Sequence, residues 1–120
     1  NYVSYMTNIA STLKSKNCKL FYMSVNPINS VMITKAGKGA RTEAQVREFN
    51  SKIRSGLSLN YKYIDTYSVL MKKGYGTNSS YSGTDAASDD GLHYTTKTFK
   101  RIYYYCITYL NTGSIDASIY

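Results

Sequence analysis

Residues 90–94 have the sequence Asp-Gly-Leu-His-Tyr and include the single histidine of the chain. Asp90 precedes His93 by three positions, and Gly91 lies between them. Because glycine permits a tight turn, the carboxylate of Asp90 can reach the imidazole of His93 within one loop. Such a contact would hold one imidazole tautomer and stabilise the imidazolium that forms when the ring accepts a proton. The spacing is compatible with a general base, and equally with an exposed loop histidine that has no catalytic role.

The first part of the chain contains patterns for one helix and one strand. Apolar side chains recur at helical spacing in residues 2–16, which predicts a helix. An almost continuous apolar run, 20–23, predicts a strand covered on both faces, and Asn26 with the following proline ends it. Residues 28–41 contain two glycines and several basic residues and are predicted to form a loop.

A helix and a second strand are expected in the middle of the chain. Thr42 and Gln45 match a capping box, in which each side chain satisfies a backbone N–H of the other, and predict a helix over 43–55. A strand is predicted from Leu59, followed by a short helical turn that ends at Gly74. The alternation of helix and strand therefore continues through this part of the sequence.

The last part combines a long polar loop with a helix. Residues 75–89 are predicted to form a surface loop, and its serines Ser79, Ser80 and Ser82 are expected to be solvent-exposed. Thr95 is predicted to cap the last helix. The buried face of that helix is expected to contain Phe99, Ile102, Tyr103, Cys106 and Leu110, and residues 111–120 are expected to form a loose tail.

This order of elements predicts an α/β fold with a parallel sheet in a single domain. Ligands in such folds lie beyond the carboxyl ends of the strands, so Asn26, Asp65 and His93 should share one edge. We prefer a capping role for Asp65. Two strands cannot bury several apolar helices, so we expect an upstream segment or a partner chain to supply further strands.

Composition limits the classes of partner. The 120 residues contain 15 Lys and Arg against 7 Asp and Glu, a net charge of +8. The basic residues are scattered, so we expect solvated basic faces and no nucleic-acid site, although a module that binds a polyanion or polysaccharide remains an alternative. Two cysteines and one histidine predict neither a disulfide scaffold nor a zinc site, and no cofactor is expected. No apolar run is long enough to span a membrane.

Four segments in order resemble the SGNH (GDSL-type) hydrolases, over roughly residues 2–110. The string DGLHYTTKTFKRIYYYC is similar to their C-terminal block, and FYMSVNPIN, FNSKIRSGL and YKYIDTYSVLMKKG are similar to preceding segments. The resemblance implies a three-layer α/β/α flavodoxin-like fold, of which 1–110 is an incomplete C-terminal portion. It also implies a serine ester hydrolase in which Asp90 orients His93, the general base. Asn26, Leu92 and Tyr94 are candidate substrate-binding residues.

The chain departs from this family in lacking the G-D-S block that supplies the serine and the G-x-N-D block of the oxyanion hole. The resemblance implies that both blocks precede Asn1, so we expect this chain alone to be inactive. The implied substrate is an acyl or O-acetyl ester, for example on a polysaccharide or a cell-envelope glycan, and the implied location is secreted or at a bacterial cell surface. Two alternatives are a catalytically inactive fragment or pseudoenzyme whose basic surface binds a polyanion, and a structural fragment that folds only with a partner chain.

Overall fold

The computed structural model describes residues 1–76 and 90–118, which form five helices and two short strands. In chain order the elements are α1 (Tyr2–Lys14), β1 (Phe21–Met23), α2 (Ser30–Lys35), α3 (Glu43–Leu57), β2 (Lys62–Ile64), α4 (Thr66–Lys72) and α5 (Thr96–Thr112). Within the described ranges, no helix is long and apolar enough to cross a membrane.

β1 and β2 pair in parallel, with Tyr22 opposite Tyr63 at the centre of the ladder. Parallel neighbours need a long crossover connection, which α2 and α3 provide here. The predicted α/β character with a parallel sheet is therefore confirmed for the part of the chain that the structure describes.

Helices pack on both faces of the strand pair, because successive strand side chains point in opposite directions. On one face, the Phe21 ring meets the Tyr109 ring of α5 edge to face at 6.2 Å, and Met23 Sδ lies 3.6 Å from Cys106 Sγ. On the other face, Tyr22 packs against α1, α3 and the start of β2. The buried residues of that second cluster are Ala10, Ile53, Leu57 and Tyr61.

The predicted capping box of α3 is present. Thr42 Oγ1 accepts a hydrogen bond from the Gln45 N–H at 3.2 Å, and Gln45 Oε1 accepts one from the Thr42 N–H at 3.0 Å. The predicted caps of the two later helices are also confirmed. Asp65 accepts a hydrogen bond from the N–H of Ser68, and Thr95 caps α5.

The prediction of an uninterrupted loop over 28–41 was wrong, because α2 lies within it. Asn29 caps this helix by accepting a hydrogen bond from the Met32 N–H at 3.1 Å, and Ile33 is fully buried. β-Branched residues have low helix propensity, and they obscured this short helix in the sequence. Tertiary burial of one isoleucine and a side-chain cap outweigh that propensity.

The buried face of α5 is rotated from the predicted one. The buried residues are Thr98, Ile102 and Tyr105, whereas Phe99 is 53% exposed and Tyr103 is 60% exposed. Three consecutive tyrosines and a buried threonine made the apolar stripe ambiguous, because each tyrosine can face the core or water.

Part of the predicted loose tail is ordered by contacts with the core. α5 continues to Thr112, and Ile115 and Ala117 pack against the cluster around Tyr105, so this part of the predicted loose tail is packed. Most of the predicted 75–89 loop, with Ser79, Ser80 and Ser82, lies outside the described residues.

Candidate active site

Asp90 organises a tight turn around His93. Its Oδ1 accepts hydrogen bonds from the backbone N–H groups of Leu92 at 2.9 Å and His93 at 3.0 Å. Gly91 within this turn has φ +75°, a left-handed conformation that glycine adopts without steric cost. One carboxylate oxygen of Asp90 is therefore committed to holding the backbone of the turn.

The second carboxylate oxygen contacts the imidazole. Asp90 Oδ2 lies 2.5 Å from His93 Nδ1, as the sequence spacing allowed. This contact favours the tautomer with the proton on Nδ1, which leaves the Nε2 lone pair available. The Asp90 side chain is 20% exposed and the His93 side chain is 72% exposed. His93 thus presents a pre-oriented ring to the surface.

The turn is attached to the loop that follows β1. The Asn29 N–H donates to the Gly91 carbonyl oxygen at 3.0 Å. A Cβ on Gly91 would lie 2.5 Å from the Asn29 carbonyl oxygen and 2.9 Å from the Ile33 nitrogen, so the backbones approach closely. Only glycine is compatible with both the conformation and this approach.

Tyr94 makes the second attachment. Its ring is buried, it packs edge to face against Tyr75 and Phe99, and its hydroxyl donates a hydrogen bond to the Pro27 carbonyl oxygen. Burial, with smaller contributions from the neighbouring tyrosines, raises the pKa of Tyr94 above its ordinary value. The hydroxyl, protonated at neutral pH like that of any tyrosine, joins two loops, and burial extends its protonated range to higher pH.

A buried hydroxyl network connects the loops after the two strands. Thr66 Oγ1 donates to Asn26 Oδ1 at 2.6 Å and lies 3.1 Å from Ser24 Oγ, which accepts a hydrogen bond from the Tyr67 N–H at 2.8 Å. Thr66 is fully buried. The carboxyl ends of β1 and β2 are thus fixed relative to each other by side chains.

Asn50 of α3 supports the same edge. Its side-chain oxygen accepts from the Val25 N–H at 2.9 Å, and its amide donates to the Val25 carbonyl oxygen at 2.9 Å. The side chain therefore pairs with the backbone as a neighbouring strand would. Sequence reasoning missed Asn50, Thr66 and Ser24, although the position of Asn50, three residues before buried Ile53, places it on the inner face of α3.

The structure brings together the loops of Asn26, Asp65 and His93, as predicted, but gives their side chains different partners. Asn26 bonds with Thr66, and Asp65 caps α4 while its Oδ2 lies 3.4 Å from Arg54 Nη1. His93 pairs with Asp90. Leu92 is half-buried beside His93, and the substrate-binding roles of Asn26, Leu92 and Tyr94 stay predictions.

Taken alone, the arrangement can accept and return a proton at His93 Nε2. Over 1–76 and 90–118, His93 has no hydrogen bond from a serine hydroxyl or a thiol, and no three or more His, Cys, Asp or Glu side chains are grouped to hold a metal ion. Comparison with family models, curated proteins and solved structures found no match to the chain.

Proposed function

We propose that this chain supplies the orienting aspartate and the general base of an SGNH-type serine ester hydrolase. The observation that carries the proposal is the 2.5 Å contact between Asp90 Oδ2 and His93 Nδ1, with the imidazole exposed beside the carboxyl edge of a parallel strand pair. A serine from outside residues 1–120 is the nucleophile, since the chain contains no G-D-S block.

In the proposed reaction, one nitrogen, His93 Nε2, carries out every proton transfer. His93 Nε2 takes the proton of the serine hydroxyl as its oxygen attacks the acyl carbonyl carbon. The Asp90 carboxylate stabilises the imidazolium. Nε2 then gives the proton to the departing alkoxide as the ester C–O bond breaks, which leaves an acyl-serine. Water, activated by the same nitrogen, hydrolyses the acyl-serine and regenerates the serine.

The three-layer α/β/α SGNH fold is part of the same proposal. Helices on both faces of the β1–β2 pair and an Asp–His loop directly before the last helix are both compatible with it. Strands from outside the chain would extend the sheet, so residues 1–110 would form the C-terminal portion of one domain. Several half-exposed apolar side chains agree with such an extension: Tyr2, Ile9, Met23 and Val25.

The proposed substrate is an acyl or O-acetyl ester, for example on an acetylated polysaccharide or cell-envelope glycan of a bacterium that exports the enzyme. This step depends on the sequence resemblance.

A fluorophosphonate probe, which phosphonylates activated serines, tests the assignment. We expect the complete product of the gene that encodes this chain to be labelled at a serine outside residues 1–120. His93→Ala should slow labelling by about 10³-fold or more, because the base that activates the serine is lost. The exposed Lys100→Ala variant is the control. An unlabelled wild-type protein, or labelling at the same rate in His93→Ala, contradicts the proposal.

A further inference from the structure

A cleft of about 510 Å³ lies at the opposite end of the sheet from His93. Its walls include Leu20 and Phe21 at the start of β1 and Tyr61 and Lys62 at the start of β2. Because the strands are parallel, these residues lie at the amino edge, whereas the Asp90 turn contacts the loop that follows β1. The cleft, called the amino-edge cleft below, is therefore separate from the candidate active site.

Three lysines line the amino-edge cleft, Lys14, Lys19 and Lys62, and none of the described lining residues is an aspartate or a glutamate. Among the residues that the structure describes, none of these ammonium groups lies within ion-pair distance of a carboxylate. Lys14 Nζ donates to the Leu59 carbonyl oxygen at 3.1 Å and to Asn60 Oδ1 at 3.4 Å. Its position is thus fixed by neutral acceptors.

The negative ends of helices do not cancel this charge. α1, α3 and α5 all end at or next to the cleft, and each helix C-terminus carries about half a negative elementary charge. The three ends together offset about half of the charge of three lysines. The cleft therefore keeps a net positive charge suited to an oxyanion.

Apolar side chains lie beside these charges. The rings of Phe21 and Tyr109 meet edge to face and both line the cleft, and Leu59 is 90% exposed at its rim. Asn60 adds an amide side chain. Ligand sites commonly combine such aromatic walls with a few polar groups, and the volume lies in the range of small-ligand sites.

We propose that the amino-edge cleft binds an acidic sugar. The lysines bind its carboxylate or phosphate group, and Phe21, Tyr109 and Leu59 pack against the C–H face of the sugar ring. This site is independent of the proposed ester hydrolysis, since no residue of the Asp90 turn lines it.

Calorimetric titration of the 120-residue protein with trigalacturonate and with glucose 6-phosphate tests this site. We expect one or both to bind. Binding of trigalacturonate alone would identify a carboxylate as the recognised group, and binding of glucose 6-phosphate alone would identify a phosphate. Lys19→Gln/Lys62→Gln should raise the Kd by about tenfold or more, because two charged hydrogen-bond donors are lost. Lys35→Gln/Lys38→Gln removes the same net charge outside the cleft and should leave the Kd within about twofold, as should His93→Ala.

Further outcomes show whether binding depends on the charge of the ligand and on the lysines of the cleft. The fully methyl-esterified trisaccharide keeps the rings without the charge and should bind more weakly than trigalacturonate by about tenfold. The proposal would be overturned if Lys19→Gln/Lys62→Gln and Lys35→Gln/Lys38→Gln raised the Kd equally, or if neither acidic sugar bound. Unchanged binding by His93→Ala together with lost serine labelling would show that the two sites are separate.

Discussion

The Gly91 carbonyl oxygen accepts a hydrogen bond from the Asn29 N–H at an N···O distance of 3.0 Å. This contact joins the turn that carries His93 to the loop between β1 and α2. The orientation of the imidazole therefore depends on a backbone approach that the residue at position 91 must permit.

Gly91→Ala should lower the free energy of unfolding by about 3 kcal/mol, because a Cβ meets the Asn29 backbone and the left-handed conformation disfavours alanine. Gly37→Ala is the matched control. Gly37 also has a positive φ, +68°, but a Cβ there meets nothing within 4 Å, so about 1 kcal/mol is expected. Urea unfolding of both variants measures the difference. Equal losses of unfolding free energy in Gly91→Ala and Gly37→Ala would contradict the close backbone approach at position 91.

The imidazole tautomer of His93 is the second prediction. Asp90 Oδ2 lies 2.5 Å from Nδ1, so the neutral ring should carry its proton on Nδ1. Long-range ¹⁵N–¹H correlation spectra of the ring report the protonated nitrogen directly. Asp90→Ala should shift the ring toward a mixture of tautomers. A wild-type ring with the proton mainly on Nε2 would show that the pair is not oriented for base catalysis.

Tyr94→Phe should lower the free energy of unfolding by about 1 to 3 kcal/mol at pH 7, because the buried Pro27 carbonyl loses its donor. Tyr103→Phe, a change at an exposed ring, is the control and should have little effect at that pH.

The effect of Tyr94→Phe should also depend on pH. Burial raises the folded-state pKa of Tyr94 above its ordinary value of 10.0, so its stabilising contribution is complete below pH 10 and declines as pH rises above it. The difference in stability between wild type and Tyr94→Phe should therefore shrink above pH 10. A difference that stays constant or grows up to pH 11.5 would contradict the burial of a neutral phenol.

Thr66→Val keeps the shape of the side chain and removes its hydroxyl. It should lower the free energy of unfolding by about 1 to 3 kcal/mol, because Asn26 and Ser24 lose a buried partner. Thr66→Ser keeps the hydroxyl and should retain the network, so it should lose only about 1 kcal/mol from a missing methyl group. Thermal and urea unfolding distinguish the two variants. A Thr66→Val variant more stable than the wild type would show that the hydroxyl network does not stabilise the fold.

Local patterns in the sequence predicted much of this fold. Thr42 with Gln45 and Thr95 act within one turn of the chain, so their caps could be recognised without tertiary structure. The Asp90–His93 contact is similarly local. α2 was missed because its stability depends on burial of Ile33 by distant residues.

Long-range polar pairs could not be predicted from the sequence, because they too depend on residues far apart in the chain. Asn50 bonds to Val25 across 25 positions, and Thr66 to Asn26 across 40. Buried polar groups need such partners, yet residue type alone does not reveal which partner is chosen. The face of α5 was misassigned because tyrosine suits both core and surface, so only packing decides that Tyr105 is buried while Tyr103 is exposed.

Hydrolysis of p-nitrophenyl acetate by the complete gene product tests the proposed catalytic role of His93 most directly. We expect His93→Ala to lower kcat/KM by about 10⁴-fold, with Lys100→Ala unchanged, and the 120-residue chain alone to give no turnover above background. A His93→Ala protein that retains wild-type kcat/KM, or a purified 120-residue chain that hydrolyses the ester with multiple turnovers, would contradict the account.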